Sequence, residues 1–541
     1  MAPKFITAKE AASFVKDGYN ILTSSFGASG VAEEIILEVE KSFLETGHPC
    51  NLGLTHAAGG GSFAGLADAE GRCRAEDHLA HEGLLTRWVC SHVACSDITA
   101  KLLQDNKIAG WCLPLGTLLQ VYKDQARGMK GTLSKCGLNT YCDPRFDGGC
   151  VNDMARESAE QYVEYIDNFR GEDFLFYKGM DLQIGWIRGS SADSKGNISC
   201  ETEPYNLELL TVAQAVRANG GKVFAQVERI VEDGSINPKA VKVPGIYVDY
   251  VVVETCPIGP RVSTVGGLYN PAFTGEAKID VSGGADPIPF NGTKAALRRA
   301  AMEVQRGMKG NFGLGMPQMI GSILAEEGES GAITMISESG AVGGVPASGA
   351  NFGAHYNVES LTDQGDHFNF FDGGGLNFGA FGLSEVDANG DMNVSLLNGV
   401  LKGVGGFMNI SATAKKAVVV GTFTAAGIKT SIVDGKLVID KEGKFKKFVN
   451  KLPQNAFSMK QAVNSGHEIL YVTERCVFQG TPDGLLLIEI APGADLQKDI
   501  LDQMEFAPII PEGGPKLMPA EIFQEEWGGL SAILDAKGEL E

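Results

Sequence analysis

Nearly unbroken apolar runs occur at "GIYVDYVVV" (245–253), "KAVVVGTF" (416–423) and "GLLLIEIAP" (484–492). Runs without polar alternation predict strands covered on both faces, as in a parallel sheet layered between helices. Helical spacing shows elsewhere. Thr7-Ala8-Lys9-Glu10 has the capping-box pattern that opens an amphipathic helix. In "HLAHEGLLTRWVCSHVAC" (78–95), Leu79, Leu84, Leu85, Trp88 and Val89 predict the core stripe of an apolar helix.

The same order of elements recurs in the two halves of the chain. "SSFGASGVAEEII" (24–36) and "GNFGLGMPQMIGSIL" (310–324) each run from a Gly-rich turn into a helix start. "ADSKGNIS" (192–199) and "VDANGDMNVS" (386–395) each predict a hairpin turn. "AVRANGGKVFAQVE" (215–228) and "ISATAKKAVVVGTF" (410–423) each predict a helix end followed by a buried strand; "VPGIYVD" (243–249) and "APGAD" (491–495) form a fourth pair. The matching order predicts an α/β fold of two similar open domains from an internal duplication. The expected domains are 1–254 and 293–541, with a Gly/Pro-rich linker at 255–292.

Composition narrows the function. A chain of 541 residues is too long for one core. Its formal net charge of -21 argues against a nucleic-acid footprint, which needs a basic face. The 11 cysteines lack framework spacing, no signal-peptide pattern opens the chain, and no apolar run is long enough for a membrane span. The expectation is a soluble, reduced, cytoplasmic protein.

Candidate chemistry sorts by spacing. His78, His81, Cys90, His92 and Cys95 offer metal-ligand types but match no zinc pattern, so core packing is the reading taken. "DANGDMNVS" mimics an EF-hand, yet Met392 and Asn398 stand where Gly and Glu are required. The glycine clusters at 373–382 and 402–407 match no dinucleotide or P-loop signature, and the basic run "GKFKKFVNK" (443–451) reads as a solvated strand face. "ITMISESGAVGGVP" (333–346) is different, because it sets Glu338 on a turn of small residues. Such a carboxylate can act as base, metal ligand or nucleophile, or sit idle on a surface turn. The segment holds no neighbouring carboxylate or His, and small neighbours suit a nucleophile approached by a bulky electrophile.

Glu338-Ser339-Gly340 followed by Gly343-Gly344-Val345-Pro346 resembles the active-site loop of family I CoA-transferases, in particular the propionate CoA-transferase group. The likeness extends through "HLAHEGLLTRWV" (78–89), "VKVPGIYVDYVVV" (241–253), "DGGGL" (372–376), "GTFTAAG" (421–427), "TERCVF" (473–478) and "LIEIAPGADLQ" (487–497). The resemblance implies a NagB/RpiA-like fold in both halves and ping-pong transfer of CoA between short-chain acids such as acetate, propionate, lactate or butyrate. Glu338 would form a glutamyl-CoA thioester, with no metal and no permanently bound cofactor, CoA and acyl-CoA being substrates. Gly313, Leu314, Gly315, Met316 and Pro317 would line the pantetheine. Asn357 and Leu401 would contact CoA or the acyl oxygen, and the Gly405 N–H would help hold the oxyanion. The partners implied are acyl-CoA and carboxylates, with self-association into a dimer or tetramer. One departure is Leu115 in "LPLGTL" (113–118), where relatives often carry a Gln expected to donate to the oxyanion. The competing readings are an acyl-CoA hydrolase using the same Glu and a non-catalytic CoA- or metabolite-binding protein.

Overall fold

The computed structural model describes residues 3–27, 29–62, 75–255, 269–281 and 287–540. Much of the expected linker, 256–268 and 282–286, lies outside the described residues. The chain divides into two compact units that do not follow its linear order. Unit 1 comprises Met1–Ile279, Ser337–Asn369 and Asn398–Asn409; unit 2 comprises Asp280–Ile336, Phe370–Leu397 and Ile410–Glu541. Glu338, expected within a C-terminal domain, therefore belongs to unit 1. No helix among the described residues is long and apolar enough to cross a membrane.

Unit 1 is built on eight parallel strands, β1 (Lys4–Ile6), β2 (Asn20–Thr23), β3 (Leu52–Thr55), β4 (Leu85–Cys90), β5 (Ala109–Cys112), β6 (Ile184–Ala192), β7 (Lys222–Ile230) and β8 (Tyr250–Val253). Their spatial order is β1-β8-β7-β6-β2-β3-β4-β5. All nine residues of β6 are buried, as the middle of a sheet layered by helices requires. The Thr7 capping box is present at the helix Ala8–Ala12, with the Thr7 and Glu10 side chains each satisfying the other's backbone N–H. Residues 85–90 correct the sequence reading, being strand β4 rather than helix. An apolar run buried on every side carries no reliable period, and here tertiary pairing with β3 and β5 decides.

Unit 2 carries β9 (Met308–Phe312), β10 (Ile333–Met335), β11 (Phe378–Gly382), β12 (Lys416–Val420), β13 (Glu468–Val472), β14 (Cys476–Thr481), β15 (Gly484–Ile490) and β16 (Lys516–Leu517), in the order β10-β9-β11-β12-β13-β14-β15-β16. Phe312, Phe378, Val418, Val420, Leu470 and Val472 fill its core. The first five strands in that order are parallel, but β14 runs antiparallel to both β13 and β15. The expectation that 484–492 joins a purely parallel sheet thus fails.

The parallel row β10-β9-β11-β12-β13 repeats the row β3-β2-β6-β7-β8 of unit 1 in both spatial and chain order. The expected hairpins follow the equivalent strands β6 and β11, at Ala192/Ile198 and Val386/Met392. Helices Leu209–Ala218 and Phe407–Thr413 precede the equivalent strands β7 and β12. The internal repeat is therefore a repeat of topology.

At the centre of β6, buried Arg188 donates to Glu203 (3.1 Å) and Glu254 (2.9 Å), with Glu228 at 3.7 Å. Removing the cation strands carboxylates in a dry setting. Arg188→Ala should cost about 3–5 kcal/mol of stability, measured as a fall in the urea midpoint at neutral pH.

Candidate active site

The turn bearing Glu338 leaves the carboxyl end of β10, the position where parallel α/β sheets present ligands. Its backbone closes on itself, with the Ser337 N–H donating to Ala341 O (2.9 Å) and the Gly340 N–H to Ser337 O (3.1 Å). Gly340 has φ +99°, and a Cβ there would collide with the carbonyl oxygen of Thr362. Only glycine meets both demands. Two short antiparallel pairings, Ala341–Val342 with Ser360–Leu361 and Val345–Pro346 with His355–Tyr356, then hold the loop.

A buried imidazole ties the turn together. His355 Nδ1 lies 2.6 Å from Gly343 O, and Nε2 lies 2.5 Å from Ser337 Oγ. A carbonyl can only accept, so Nδ1 carries the proton and Nε2 accepts from the serine hydroxyl. Burial pulls the His355 pKa down to about 4, so the ring is neutral at pH 7. The Ser339 hydroxyl donates to Gly353 O (2.6 Å), fixing the residue on the other side of Glu338. The sequence reading missed His355, whose only trace was one His inside "AHYNVE".

Glu338 itself is only partly exposed. Burial pushes its pKa up to about 7, because the surrounding protein replaces the water that would solvate the anion. Its carboxyl packs flush against Gly406, where a Cβ would stand 2.7 Å from Oε1. The residue that leaves room at the carboxyl is thus Gly406, next to the expected Gly405.

The other expected site residues fall into two groups. In unit 1, the Gly405 N–H is taken up by Ser91 O (2.9 Å), and Gly405 O accepts from the Leu115 N–H (3.1 Å). These two bonds tie Gly405 into the framework of unit 1. They also seat Leu115, fully buried, against the same segment. The Asn357 amide is engaged at both ends by the backbone of Ile279, accepting at 2.9 Å and donating at 2.8 Å. Leu401 is buried. In unit 2, Gly313, Leu314, Gly315, Met316 and Pro317 form the turn after β9. There the Gly313 N–H donates to Ala380 O (2.9 Å), Leu314 is exposed and Pro317 is buried.

The crowded histidines serve packing against the helix Glu33–Thr46. His78 lies 2.6 Å from Glu40 and 3.1 Å from Glu33, and His81 lies 2.7 Å from Glu40. Burial works against the Glu40 anion, but both histidine hydrogen bonds outweigh it and hold its pKa at about 2. Among the described residues, metal-ligand spacing occurs at exposed Asp17 and His48 with half-buried Cys50. There Asp17 is already paired with His48 at 2.8 Å.

Comparison with known proteins agrees with this geometry. Residues 5–254 match the family described as Coenzyme A transferase. The chain is 42% identical over 537 residues to the caffeate CoA-transferase of Acetobacterium woodii, covering 98% of this chain and 99% of that one. It is 38% identical to the acetate CoA-transferase YdiF of Escherichia coli K12, over 96% of this chain and 94% of the other. The crystal structure of the acyl-CoA transferase YdiF apoenzyme from Escherichia coli O157:H7 superposes with a TM-score of 0.88 at 36% identity, covering 98% and 97% of the two chains. The same protein as a thioester complex with CoA gives 0.87 at 34% identity, with the same coverage. A half-buried glutamate on a rigid turn, two units sharing one parallel topology, and relatives alike over their whole length place this chain in the coenzyme A transferase family.

Proposed function

We propose that the enzyme transfers CoA from a short-chain acyl-CoA to a free carboxylate in two half-reactions through Glu338. The Glu338 carboxylate attacks the thioester carbonyl, and collapse of the tetrahedral adduct expels CoA thiolate, leaving a mixed anhydride. The thiolate then attacks the glutamyl carbonyl, which forms the glutamyl-CoA thioester and releases the first acid as its carboxylate. A second carboxylate attacks that thioester, giving a new anhydride and free thiolate. The thiolate takes the acyl carbonyl of that anhydride, forming the new acyl-CoA and restoring the Glu338 carboxylate. Every bond broken is replaced by one of similar energy, so no external activation is needed.

The observation that carries this reading is the setting of Glu338. A carboxylate half-stripped of water is a stronger nucleophile than a solvated one, and a rigid turn holds it where the thioester approaches. Exclusion of water protects both acylated intermediates from hydrolysis. The thioester complex with CoA of the Escherichia coli O157:H7 relative supports the same intermediate here. The relatives' names, caffeate and acetate CoA-transferase, support a monocarboxylate acceptor.

Glu338→Ala should lower exchange between acetyl-CoA and propionate on the order of 10⁴-fold or more. Mass spectrometry should find the CoA adduct on the Glu338 peptide of the native chain only, discharged by added carboxylate. Discharge at the same rate without carboxylate would make the enzyme a hydrolase.

Because only the anion attacks, kcat/KM for acyl-CoA should rise with pH about a midpoint near 7. Stability should move the opposite way. The folded Glu338 binds its proton more tightly than the unfolded one. Its contribution is therefore most favourable below the ordinary value of 4.5 and is lost as pH rises through about 7. Glu338→Gln should accordingly melt above the native protein at pH 8, with the gap closing toward pH 4.

His355 acts as a positioning residue. His355→Ala should lower kcat by roughly 10–100-fold, the scale expected when a catalytic group is displaced by about an ångström. KM for the acyl-CoA should change far less, as steady-state kinetics would show.

A further inference from the structure

At the amino ends of β2 and β3, side chains from two separate loops meet at one point. One loop joins the helix Ala8–Ala12 to β2 and carries Asp17; the other joins the helix Glu33–Thr46 to β3 and carries His48 and Cys50. The strands are parallel neighbours, so their entry loops lie side by side. One ligand atom from each of Asp17, His48 and Cys50 lies within 4.8 Å of the other two. His48 Nδ1 stands 2.8 Å from Asp17 Oδ2 and 4.0 Å from Cys50 Sγ. A carboxylate can only accept, so Nδ1 carries the proton of the Asp17 bond.

The backbone beneath these side chains is fixed. The Gly18 N–H donates to Cys50 O (2.9 Å) and the Gly53 N–H to Tyr19 O (2.9 Å), which ties one loop to the other. The His48 N–H donates to Thr46 Oγ1 (3.1 Å) and the Ser42 hydroxyl to His48 O (2.8 Å), which holds the histidine to the end of its helix. Two further bonds aim the ligand atoms. The Cys50 N–H donates to Asp17 Oδ1 (2.8 Å), leaving Oδ2 as the oxygen nearer the imidazole, and the Asn51 amide donates to Cys50 Sγ (3.4 Å). Donors to a carboxylate and to a sulfur are the outer partners that orient ligands around a bound ion. The Asp17 and His48 side chains are exposed and Cys50 is half-buried, so an ion reaches them directly from solvent.

An ordinary surface ion pair accounts for Asp17 and His48, but not for a thiol that faces the same nitrogen with its own amide donor. A tetrahedral zinc ion, bonded at about 2.0–2.3 Å to nitrogen, oxygen and sulfur, sets its ligands roughly 3.3–3.6 Å apart. To reach that spacing the nitrogen–oxygen pair opens, and the nitrogen–sulfur pair closes, by about half an ångström each. We propose that Asp17, His48 and Cys50 form a zinc site, with water in the fourth position, that clips the two loops together. Mixed nitrogen, oxygen and sulfur donors suit Zn²⁺ over Mg²⁺ and Ca²⁺, which take oxygen ligands. Binding replaces the Nδ1 proton and the thiol proton with the ion, and both protons pass to solvent. Partial burial and the Asp17 charge push the Cys50 thiol up, so it keeps its proton at pH 7 and affinity for the ion rises with pH. Parallel sheets take their substrates at the carboxyl ends of the strands, so an ion at the amino ends serves stability and not acyl transfer.

The test strips the full-length enzyme with a chelator and titrates it with Co²⁺ and then Zn²⁺, without CoA, whose thiol binds both ions. The native chain should take up one Co²⁺ with thiolate-to-cobalt absorption in the near ultraviolet, displaced by Zn²⁺ and unaffected by excess Mg²⁺. Cys50→Ser should abolish that absorption and weaken Zn²⁺ binding at least about 100-fold, whereas Asn51→Ala, which removes only an outer partner, should weaken it by about tenfold. Zn²⁺ should raise the melting temperature of the native chain and leave that of Cys50→Ser unmoved, because an ion held by the folded state alone stabilises it. His48→Gln, expected to weaken Zn²⁺ binding as far as Cys50→Ser, serves if the latter is insoluble. Absence of the cobalt absorption, its persistence in Cys50→Ser, or equal Zn²⁺ affinity in native and variant chains would overturn the site.

Discussion

The imidazole of His355 gives its Nδ1 proton to the Gly343 carbonyl and takes the Ser337 hydroxyl proton at Nε2, so one neutral ring spans both ends of the glutamate-bearing turn. A buried carboxyl tends to regain water by moving its backbone toward solvent. The turn's own residues, chosen small, have few side-chain contacts to resist that movement. The ring resists it with two directed bonds in a dry setting, where each is stronger than in water. The raised pKa of Glu338 and its contact with Gly406 both presuppose this fixed backbone.

The two units show why such a turn sits where it does. Each carries the same five parallel strands, and such sheets release their loops on one edge. In unit 1 that edge holds Ser24, His56 and Ser91; in unit 2 the equivalent edge gives rise to the turn 313–317, and β10 ends where the chain passes into the Glu338 turn of unit 1. Duplication supplied two such edges, and the side chains on them diverged.

Much of this was legible in the sequence where local chemistry dominates. The Thr7 capping box, the hairpins at 192–199 and 386–395, and the buried strands at 223–227 and 416–420 depend on neighbours in the chain, and all are present. Glu338 stood out because a charged residue among glycines is rare. Long-range pairing was illegible. The run at 85–90 has no period that separates strand from helix, and the direction of β15 is decided by its partner β14. The hydrogen bonds of Gly405 to Ser91 and of Asn357 to Ile279 join residues far apart in the chain and leave no trace in the sequence. His355 left no signal, since one histidine in a loop is commonplace until its two partners are known.

Unit 1 is discontinuous, and this bears on how the protein comes into being. Its first 279 residues leave the ribosome well before the segments 337–369 and 398–409 that complete it. Until then the Ser91 carbonyl lacks the Gly405 N–H, and the strand ends of β2 to β4 lack the glycine segment that passes over Ser91. Nascent domains exposing such surface are the usual clients of chaperones. A chain broken off early would lack both Glu338 and the glycine against which it rests. The contact between Glu338 and Gly406 therefore arises only in molecules whose translation has passed residue 409.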